Sequence, residues 1–328
     1  MKKVTMEKKI IKWGIIGLGK IAAKFATDLA TVENAELVAV ASRSEGKATD
    51  FAKKFGAKNA YKSYEALAKD AEVDAVYIAT PHSFHKEHAI LCLENKKAVL
   101  CEKPFAMNLQ EVEEMIAVAK ENNVLLMEAL WTYFLPHFTY VLDLVKTKKY
   151  GELKKLEADF GFYNTYDTDR RLFKKEVGGG SLLDIGIYPI FAALSTLGTP
   201  VTIEADAIFF KNGADAECNM LFNYKNATAH LKSTLLENTP TEAVFTFDTA
   251  IVKINTQFHA PSSVTILKND TEETINFDYK TIGYSFETEH FNTLLRENKK
   301  QSNVMSFDFS RSLISILDTV RESINLTY

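Results

Sequence analysis

The chain has 328 residues, 46% of them hydrophobic and 25% charged, an ordinary globular balance with room for two substantial cores and no sign of disorder. Its net charge of −4 offers no basic field for nucleic acid or an anionic membrane, so small neutral or anionic ligands stay open. Cys92, Cys101 and Cys218 are widely spaced without a CxxC, which argues against a disulfide framework and for structural thiols in a reducing cytoplasm. The lysine-rich Met1 to Lys12 resembles the start of a signal segment, but the apolar stretch behind it is short, glycine-broken and interrupted by Lys20. No other stretch reads as long enough to cross a bilayer.

From Ile11 to about Leu130, short apolar runs alternate with amphipathic segments, the pattern of a parallel sheet wrapped by helices. Strands are expected at 11–17, 36–42, 74–79, 97–102 and 124–129. The first ends in Gly17-Leu18-Gly19-Lys20-Ile21-Ala22, and Lys20 to Ala30 has helical apolar spacing. The glycines therefore sit at a strand-to-helix turn. Gly17 allows the tight turn, Gly19 lets the backbone approach a pyrophosphate, and Ala22 lets the helix pack closely, with its N-terminal N–H groups aimed at the phosphates. The spacing alone is weak evidence; its strand-to-helix context gives it value.

The second strand, Glu36 to Ala41, ends in Ser42-Arg43, where a carboxylate would stand for the ribose 2′-hydroxyl of NAD. An acid there would repel a 2′-phosphate, whereas Arg43 can fork onto it and Ser42 can donate a hydroxyl, so the pattern reads as NADP over NAD. Glu45 is the counterargument, and the plainer alternative makes Arg43 a solvated loop residue. Further on, Asn108-Leu-Gln-Glu111 is a capping box that starts a helix running to about Asn122.

After Trp131 the texture changes and a second domain is expected: 1–130 binds the dinucleotide, and 131–328 forms an α+β unit. Pro136 opens a helix, and a strand-like run spans Glu152 to Tyr163. In Val201 to Phe209 the apolar residues 201, 203, 205, 207 and 209 share one face, as in a half-buried antiparallel strand, and similar runs recur to Phe277. Helices at about 283–298 and 306–324 close the chain, the last placed to pack back on the first domain. There is no internal repeat or low-complexity stretch.

Two places carry candidate chemistry. The strand ending at Cys101 leads into Glu102-Lys103-Pro104, and ligands of open α/β sheets bind beyond the carboxyl ends of strands, so Lys103 points toward the nicotinamide region. The proline removes a helical option for Lys103 and permits a cis bond. The alternative is a strand-end lysine snorkelling to solvent. The second place is Gly178-Gly-Gly-Ser-Leu-Leu-Asp184-Ile-Gly-Ile-Tyr188-Pro189, whose glycines let a helix start press against a flat cofactor. Asp184 and Tyr188 fall four apart, on one helical face. A core helix with a buried tyrosine is the alternative.

With the glycine fingerprint, Glu-Lys-Pro and the Gly-rich Asp-x3-Tyr segment in this order, the chain resembles the Gfo/Idh/MocA oxidoreductase family. Glu102 to Asn108, Met127 to Thr132 and Gly179 to Pro189 resemble its branch of trans-1,2-dihydrodiol dehydrogenases and NADP-dependent D-xylose dehydrogenases. The likeness covers nearly the whole chain and weakens after about residue 200. It implies a doubly wound Rossmann domain followed by an α+β domain with a large, mostly antiparallel sheet, which often forms a homodimer or higher oligomer. It also implies Lys103 as the catalytic lysine, Asp184 as the acid that helps hold substrate, and Tyr188 as the acid/base residue, where many relatives have histidine.

A phenol has a pKa of about 10, so a neighbouring ammonium such as Lys103 is expected to favour phenolate near neutral pH. Lys103 and Tyr188 would then share the proton of a substrate hydroxyl while its carbon exchanges hydride with the nicotinamide, help worth roughly a hundred- to ten-thousand-fold in rate.

Thr80-Pro81-His82 ends a strand beside the expected cofactor, with His82 where the family usually has asparagine. His85 reads as an orienting or capping residue. Gly17, Gly19, Lys20, Ile21, Ser42, Arg43, Thr80, Pro81, His82, His85, Glu102 and Lys103 form the expected cofactor set. Trp131 walls the substrate pocket or belongs to the core. Phe160, Tyr163 and Tyr166 suggest further aromatic walls, and Tyr133 stands where close relatives often have arginine. Arg171 aligns with a recurring family arginine and holds substrate oxygen, holds cofactor phosphate, or makes a surface ion pair. No metal is expected: helical rotation spreads His82, His85 and His88 around the axis, and Glu287-x-x-His290 earns the same discount.

The leading reading is an NADP-dependent dehydrogenase of CH–OH or CH–CH groups in sugars or cyclic diols. A carbonyl or dicarbonyl reductase running the chemistry backwards is the second, and a non-catalytic NADP-sensing regulator the third. The intact Lys103, Asp184 and Tyr188 argue against the third. Partners are thus a small-molecule substrate and further copies of the chain, with neither nucleic acid nor membrane.

Overall fold

The apolar runs of the first 130 residues are continuous rather than alternating, which suits strands covered on both faces. In the computed structural model, which describes residues 9–44 and 46–328, they form a six-stranded parallel sheet. Met1 to Lys8 of the lysine-rich start, and Glu45 beside Arg43, lie outside the described residues. The elements follow as β1 (Ile11–Ile16), α1 (Lys20–Leu29), β2 (Ala35–Ala41), α2 (Lys47–Phe55), β3 (Asn59–Tyr61), α3 (Tyr64–Ala68), β4 (Ala75–Ile78), α4 (His85–Glu94), β5 (Ala98–Glu102), α5 (Leu109–Asn122) and β6 (Leu126–Ala129). The order β3-β2-β1-β4-β5-β6 reverses direction between β1 and β4, opening a crevice beyond their carboxyl ends.

The five expected strands are present, with ends that differ by one or two residues. The sequence reading lacked β3, an edge strand of three residues without an apolar run. The α5 cap forms with Asn108 Oδ1 accepting from Glu111 N at 2.9 Å, while the Glu111 carboxylate accepts from Met107 N at 3.1 Å. That pair fixes where the loop after Lys103 turns into a helix.

The second sheet is reached through α6 (Pro136–Thr147), with proline in its first turn. Then come β7 (Leu153–Gly161), α7 (Ile187–Leu197), β8 (Thr202–Phe209), β9 (Asp215–Asn223), β10 (Thr228–Thr234), β11 (Ala243–Phe247), β12 (Ile251–Ile254), β13 (Val264–Lys268) and β14 (Thr271–Ile275). They form one eight-stranded sheet, β14-β13-β12-β11-β7-β10-β9-β8, parallel only between β7 and β10. On β8 the alternation holds for Ile203, Ala205 and Ala207, but Val201 and Phe209 are exposed, the latter beside a register shift after Ile208. The inner face packs on α7, apolar nearly all round and buried from Ile187 to Leu194.

Residues 175–197 are, against the sequence reading, long and apolar enough to cross a membrane, but 89% of their most apolar window is buried inside the protein. This is a core helix entered through glycines.

The chain ends with α8 (Tyr284–Arg296) and α9 (Phe307–Ser323), and both return to the first sheet's helices. Helix α9 meets α5 through Leu109 N donating to Asp318 and through the Arg311–Glu113 ion pair. Helix α8 is capped from α1: the Asp28 carboxylate accepts from the N–H groups of Ile282, Gly283 and Tyr284 at 2.7–3.0 Å. Beneath it Trp13, Phe25, Tyr77 and Phe291 form an aromatic layer, with Phe25 and Tyr77 stacked. The cleft between the sheets is thus bounded by chain from both halves of the sequence.

Candidate active site

At the carboxyl end of β1, Gly17 has φ +86°, and a Cβ there would lie 2.6 Å from the backbone of Ala79 and Thr80. Only glycine fits so close to the neighbouring strand end. Gly19 caps α1 with no side-chain hydrogen bond, the first turn holds no acidic residue, and a Cβ on Gly19 would meet nothing within 4 Å. The helix therefore presents unclaimed N–H groups and its positive dipole end to open space, as a pyrophosphate requires. On the far rim, the Arg43 guanidinium lies over the rings of Tyr64 (5.7 Å) and Phe84 (5.5 Å), and Ser42 Oγ accepts from Ser44 N at 3.2 Å. Ser44, in the same turn, and Lys47, the first residue of α2, line the same rim and were not named from the sequence. These groups fit a dinucleotide carrying a 2′-phosphate.

Between the two ends, the rings of His82 and His85 are held by backbone carbonyls. His85 is sealed in between the end of β4 and the loop after β5, with Nε2 2.9 Å from Thr80 O and Nδ1 2.8 Å from Pro104 O, so a neutral ring donates to one of these carbonyls and a charged ring to both. Burial lowers its pKa to about 4, leaving a neutral ring. His82 Nδ1 faces Gly178 O at 3.3 Å and must carry the proton, so Nε2 is the acceptor for Arg171, 3.4 Å away. Burial first, then Arg171, holds His82 well below the usual imidazole range.

The Glu102 carboxylate accepts from the Tyr77 hydroxyl and from Lys103 N at 3.2 Å, and the Lys103–Pro104 bond is cis. Lys103 Nζ donates to the Asp184 main-chain carbonyl at 2.5 Å and lies 4.8 Å from the Tyr188 ring centre. The helix containing Asp184 begins as a π turn, Leu182–Gly186, rather than as the regular α-helix expected. In the π register the donor to Asp184 O is residue 189, a proline without an N–H. Asp184 and Tyr188 nevertheless both reach the cleft. Arg171 donates to Asp184 Oδ1 at 2.7 Å. Burial alone would raise the Asp184 pKa, but Arg171 and then Lys103 outweigh it, and the group stays ionised.

The expected phenolate is not what this environment favours. Burial raises the Tyr188 pKa well above 10, with Glu102 adding to it, and burial lowers that of Lys103. The ammonium bonds a carbonyl instead of the phenol oxygen. Tyr188 is therefore a neutral phenol whose oxygen accepts from Trp131 Nε1 at 3.1 Å, leaving its own proton to give.

Trp131 stacks on Tyr284 (4.5 Å, 15° between planes), and Phe160 stacks on His259 (4.2 Å, 25°). Both Tyr284 and His259 escaped sequence reading, since they lie far along the chain in no motif. Of the other expected aromatic walls, Tyr163 is 62% exposed beyond the end of β7, and Tyr166 packs on Phe173 and Phe210 instead. Tyr133 packs against Phe191 and Phe309, away from the cleft. Apart from those three tyrosines, the residues named from the sequence for cofactor, substrate and chemistry, from Gly17 to Tyr188, line one cleft of about 780 Å³. Among the described residues no three His, Cys, Asp or Glu side chains converge on a metal-sized site. His88 Nδ1 pairs with Thr80 Oγ1 and His290 Nε2 with Ser302 Oγ, while the Glu287 carboxylate is buried without a partner.

Comparison with known proteins agrees in both halves. Residues 11–130 match the oxidoreductase family with an NAD-binding Rossmann fold, and residues 138–260 match the GFO/IDH/MocA C-terminal domain. Trans-1,2-dihydrobenzene-1,2-diol dehydrogenase from Xenopus tropicalis is 35% identical over 329 residues, covering 97% of this chain and 99% of that one. The scyllo-inositol 2-dehydrogenase (NADP(+)) of Bacillus subtilis is 35% identical over 327 residues, covering 97% and 98%. Among solved structures, a 3-ketoreductase from Actinomadura kijaniata in complex with NADP and TDP-benzene superposes with a TM-score of 0.87 at 27% identity, covering 96% and 98%.

Proposed function

We propose, from the premise that the chain belongs to the GFO/IDH/MocA oxidoreductase family, that it is an NADP-dependent oxidoreductase interconverting a secondary alcohol and a carbonyl in a sugar or cyclic diol. The observation that carries this reading is one continuous cleft, with an anion-ready helix start and Arg43 at one end and Lys103, Asp184 and Tyr188 at the other. The relatives named for dihydrodiols, inositol and a keto sugar support the substrate range, and the NADP in the names of two of them supports the cofactor.

Bound NADP supplies or accepts the hydride. The α1 N-terminus with Gly17 and Gly19 would hold its pyrophosphate, Ser42, Arg43, Ser44 and Lys47 its 2′-phosphate, and Thr80, Pro81, His82 and Glu102 its nicotinamide half. Tyr188 donates its proton to a substrate carbonyl oxygen in reduction and recovers one from the hydroxyl in oxidation. The Lys103 ammonium beside the ring and the Trp131 N–H stabilise the phenol oxygen once the proton has left. Asp184, kept ionised and anchored by Arg171, orients substrate hydroxyls. Because the phenol is neutral, the reductive direction is a second reading with its own support.

Three unpaired, buried cysteines favour the cytoplasm. We place self-association on the outer face of the eight-stranded sheet, where Glu157, Asp159, Glu204 and Lys232 surround a shallow hollow.

The test is NADP reduction by a panel of aldoses, inositols and cyclic trans-diols, and NADPH oxidation by the matching carbonyls, with NAD in parallel. Tyr188→Phe and Lys103→Met should lose at least about a hundredfold in kcat while still binding NADP. Arg43→Ala should weaken NADP binding and spare NAD. Full turnover in the first two variants sinks the mechanism, and tight NADP binding with no turnover in either direction points to a sensor.

A further inference from the structure

The cleft does not end at the reacting groups. Beyond Trp131, Phe160 and His259 lies a second chamber of about 690 Å³ that shares those residues, with Lys24 and Phe162, as a common wall. Its remaining walls come from the loops around residues 238–241, 256–261 and 281–282. Their side chains are amides, hydroxyls and small apolar groups, and Lys24 is the one charged residue lining the chamber among those described. His259 is uncharged too, since burial first and Lys103 next lower its pKa to about 3, and its Nδ1 has no hydrogen-bond partner among the described residues.

The free hydrogen-bonding capacity is specific. Asn238 spends its Oδ1 on Tyr163 N at 2.9 Å and keeps its amide N–H groups. The Gln257 side chain makes no hydrogen bond among the described residues, and its backbone holds the left-handed φ of +59° at the turn that carries it to the chamber. An arene or other apolar ligand would bury these amides without replacing their water, at about 1–3 kcal/mol for each group. A phosphate or carboxylate would find a single flexible ammonium and no arginine fork. A sugar ring offers hydroxyls to the amides and C–H faces to the stacked rings of Phe160 and His259.

We propose that this chamber is a subsite for a second, neutral sugar ring joined to the one that reacts, so that the preferred substrate is a disaccharide or glycoside. The inference rests on the oxidoreductase reading above. His259, in the shared wall with Trp131 and Phe160, then touches both rings.

Trp131 is one of two tryptophans, and the other, Trp13, is fully buried, so intrinsic fluorescence reports occupancy of the chambers. Dissociation constants, with and without NADP, and kcat/KM for NADP reduction should be compared for xylose with xylobiose, and for glucose with maltose and cellobiose. At least one disaccharide should exceed its monosaccharide by about tenfold on both measures. That ratio should fall toward one in Asn238→Ala and in Gln257→Gly, the latter keeping the left-handed turn.

Disaccharides that never exceed their monosaccharides overturn the proposal, as does a ratio that both variants leave unchanged. Preference for a sugar phosphate over every neutral disaccharide overturns it as well. Turnover of any monosaccharide or diol that Tyr188→Phe abolishes upholds the oxidoreductase reading whichever way that comparison falls.

Discussion

Glu128, at the end of β6, is fully buried beneath the loop that carries Lys103, and its Oε1 accepts from Phe105 N at 3.0 Å while Oε2 has no partner among the described residues. Burial pushes its pKa up from 4.5 to about 7, the neighbouring Ser310 hydroxyl and the Phe105 hydrogen bond pulling it only part of the way back. A carboxyl whose pKa is raised on folding stabilises the fold fully below its unfolded value and loses that contribution as pH climbs through the folded one. The gap amounts to about 3.5 kcal/mol at about 1.4 kcal/mol per pH unit, and roughly 2.5 kcal/mol of it falls between pH 5 and 8.5. Glu128→Gln keeps the volume and the acceptor but cannot ionise. Urea unfolding at pH 5 and pH 8.5 should show the wild type losing roughly 2.5 kcal/mol more than the variant across that interval. Glu287, also raised by burial, titrates in both proteins and cancels in the difference, which therefore reports Glu128 together with its coupling to Glu102. Parallel pH profiles for the two proteins would refute the reasoning.

Gly17→Ala must place a Cβ 2.6 Å from the Ala79 and Thr80 backbone at a φ of +86°. It should cost about 3 kcal/mol in a urea titration and abolish NADP binding, and a variant that matches the wild type on both counts contradicts the close approach. Asp28→Ala strips the shared acceptor from the N–H groups of Ile282, Gly283 and Tyr284. A loss of at least about 2 kcal/mol is expected, with a changed Trp131 emission as Tyr284 shifts, and an unmoved urea midpoint would show that α8 needs no cap from α1.

What the sequence discloses and what it hides divide along the range of the interactions involved. The glycine turn, the Asn108 cap and the position of Lys103 after β5 depend on residues adjacent in the chain, and periodicity reads them directly. Strand β3 escapes because Asn59-Ala-Tyr61 needs only to complete an edge, which demands no apolar run. The π turn at Leu182–Gly186 escapes because four-residue spacing describes the α register alone; Pro189, next to Tyr188, was the available signal, since it cannot donate to the carbonyl that Lys103 takes. His259 and Tyr284 escape altogether. The eight-stranded sheet and the return of α8 onto α1 bring them to the cleft, and nothing within several residues of either announces it.

Charge was the hardest property to read, because it depends on how much water the fold removes. A lysine beside a tyrosine suggests an ammonium–phenolate pair when the two are considered alone. In the cleft, burial opposes both charged forms, raising the tyrosine and lowering the lysine, so the proton stays on the phenol. Asp184 is buried as well, yet it remains ionised because Arg171 and Lys103 stand beside it. The same desolvation thus leaves one neutral acid and one anion within a turn of each other on the same segment. A site that must give a proton to one substrate oxygen while accepting hydrogen bonds from neighbouring hydroxyls needs that pair, and Tyr188 with Asp184 supplies it.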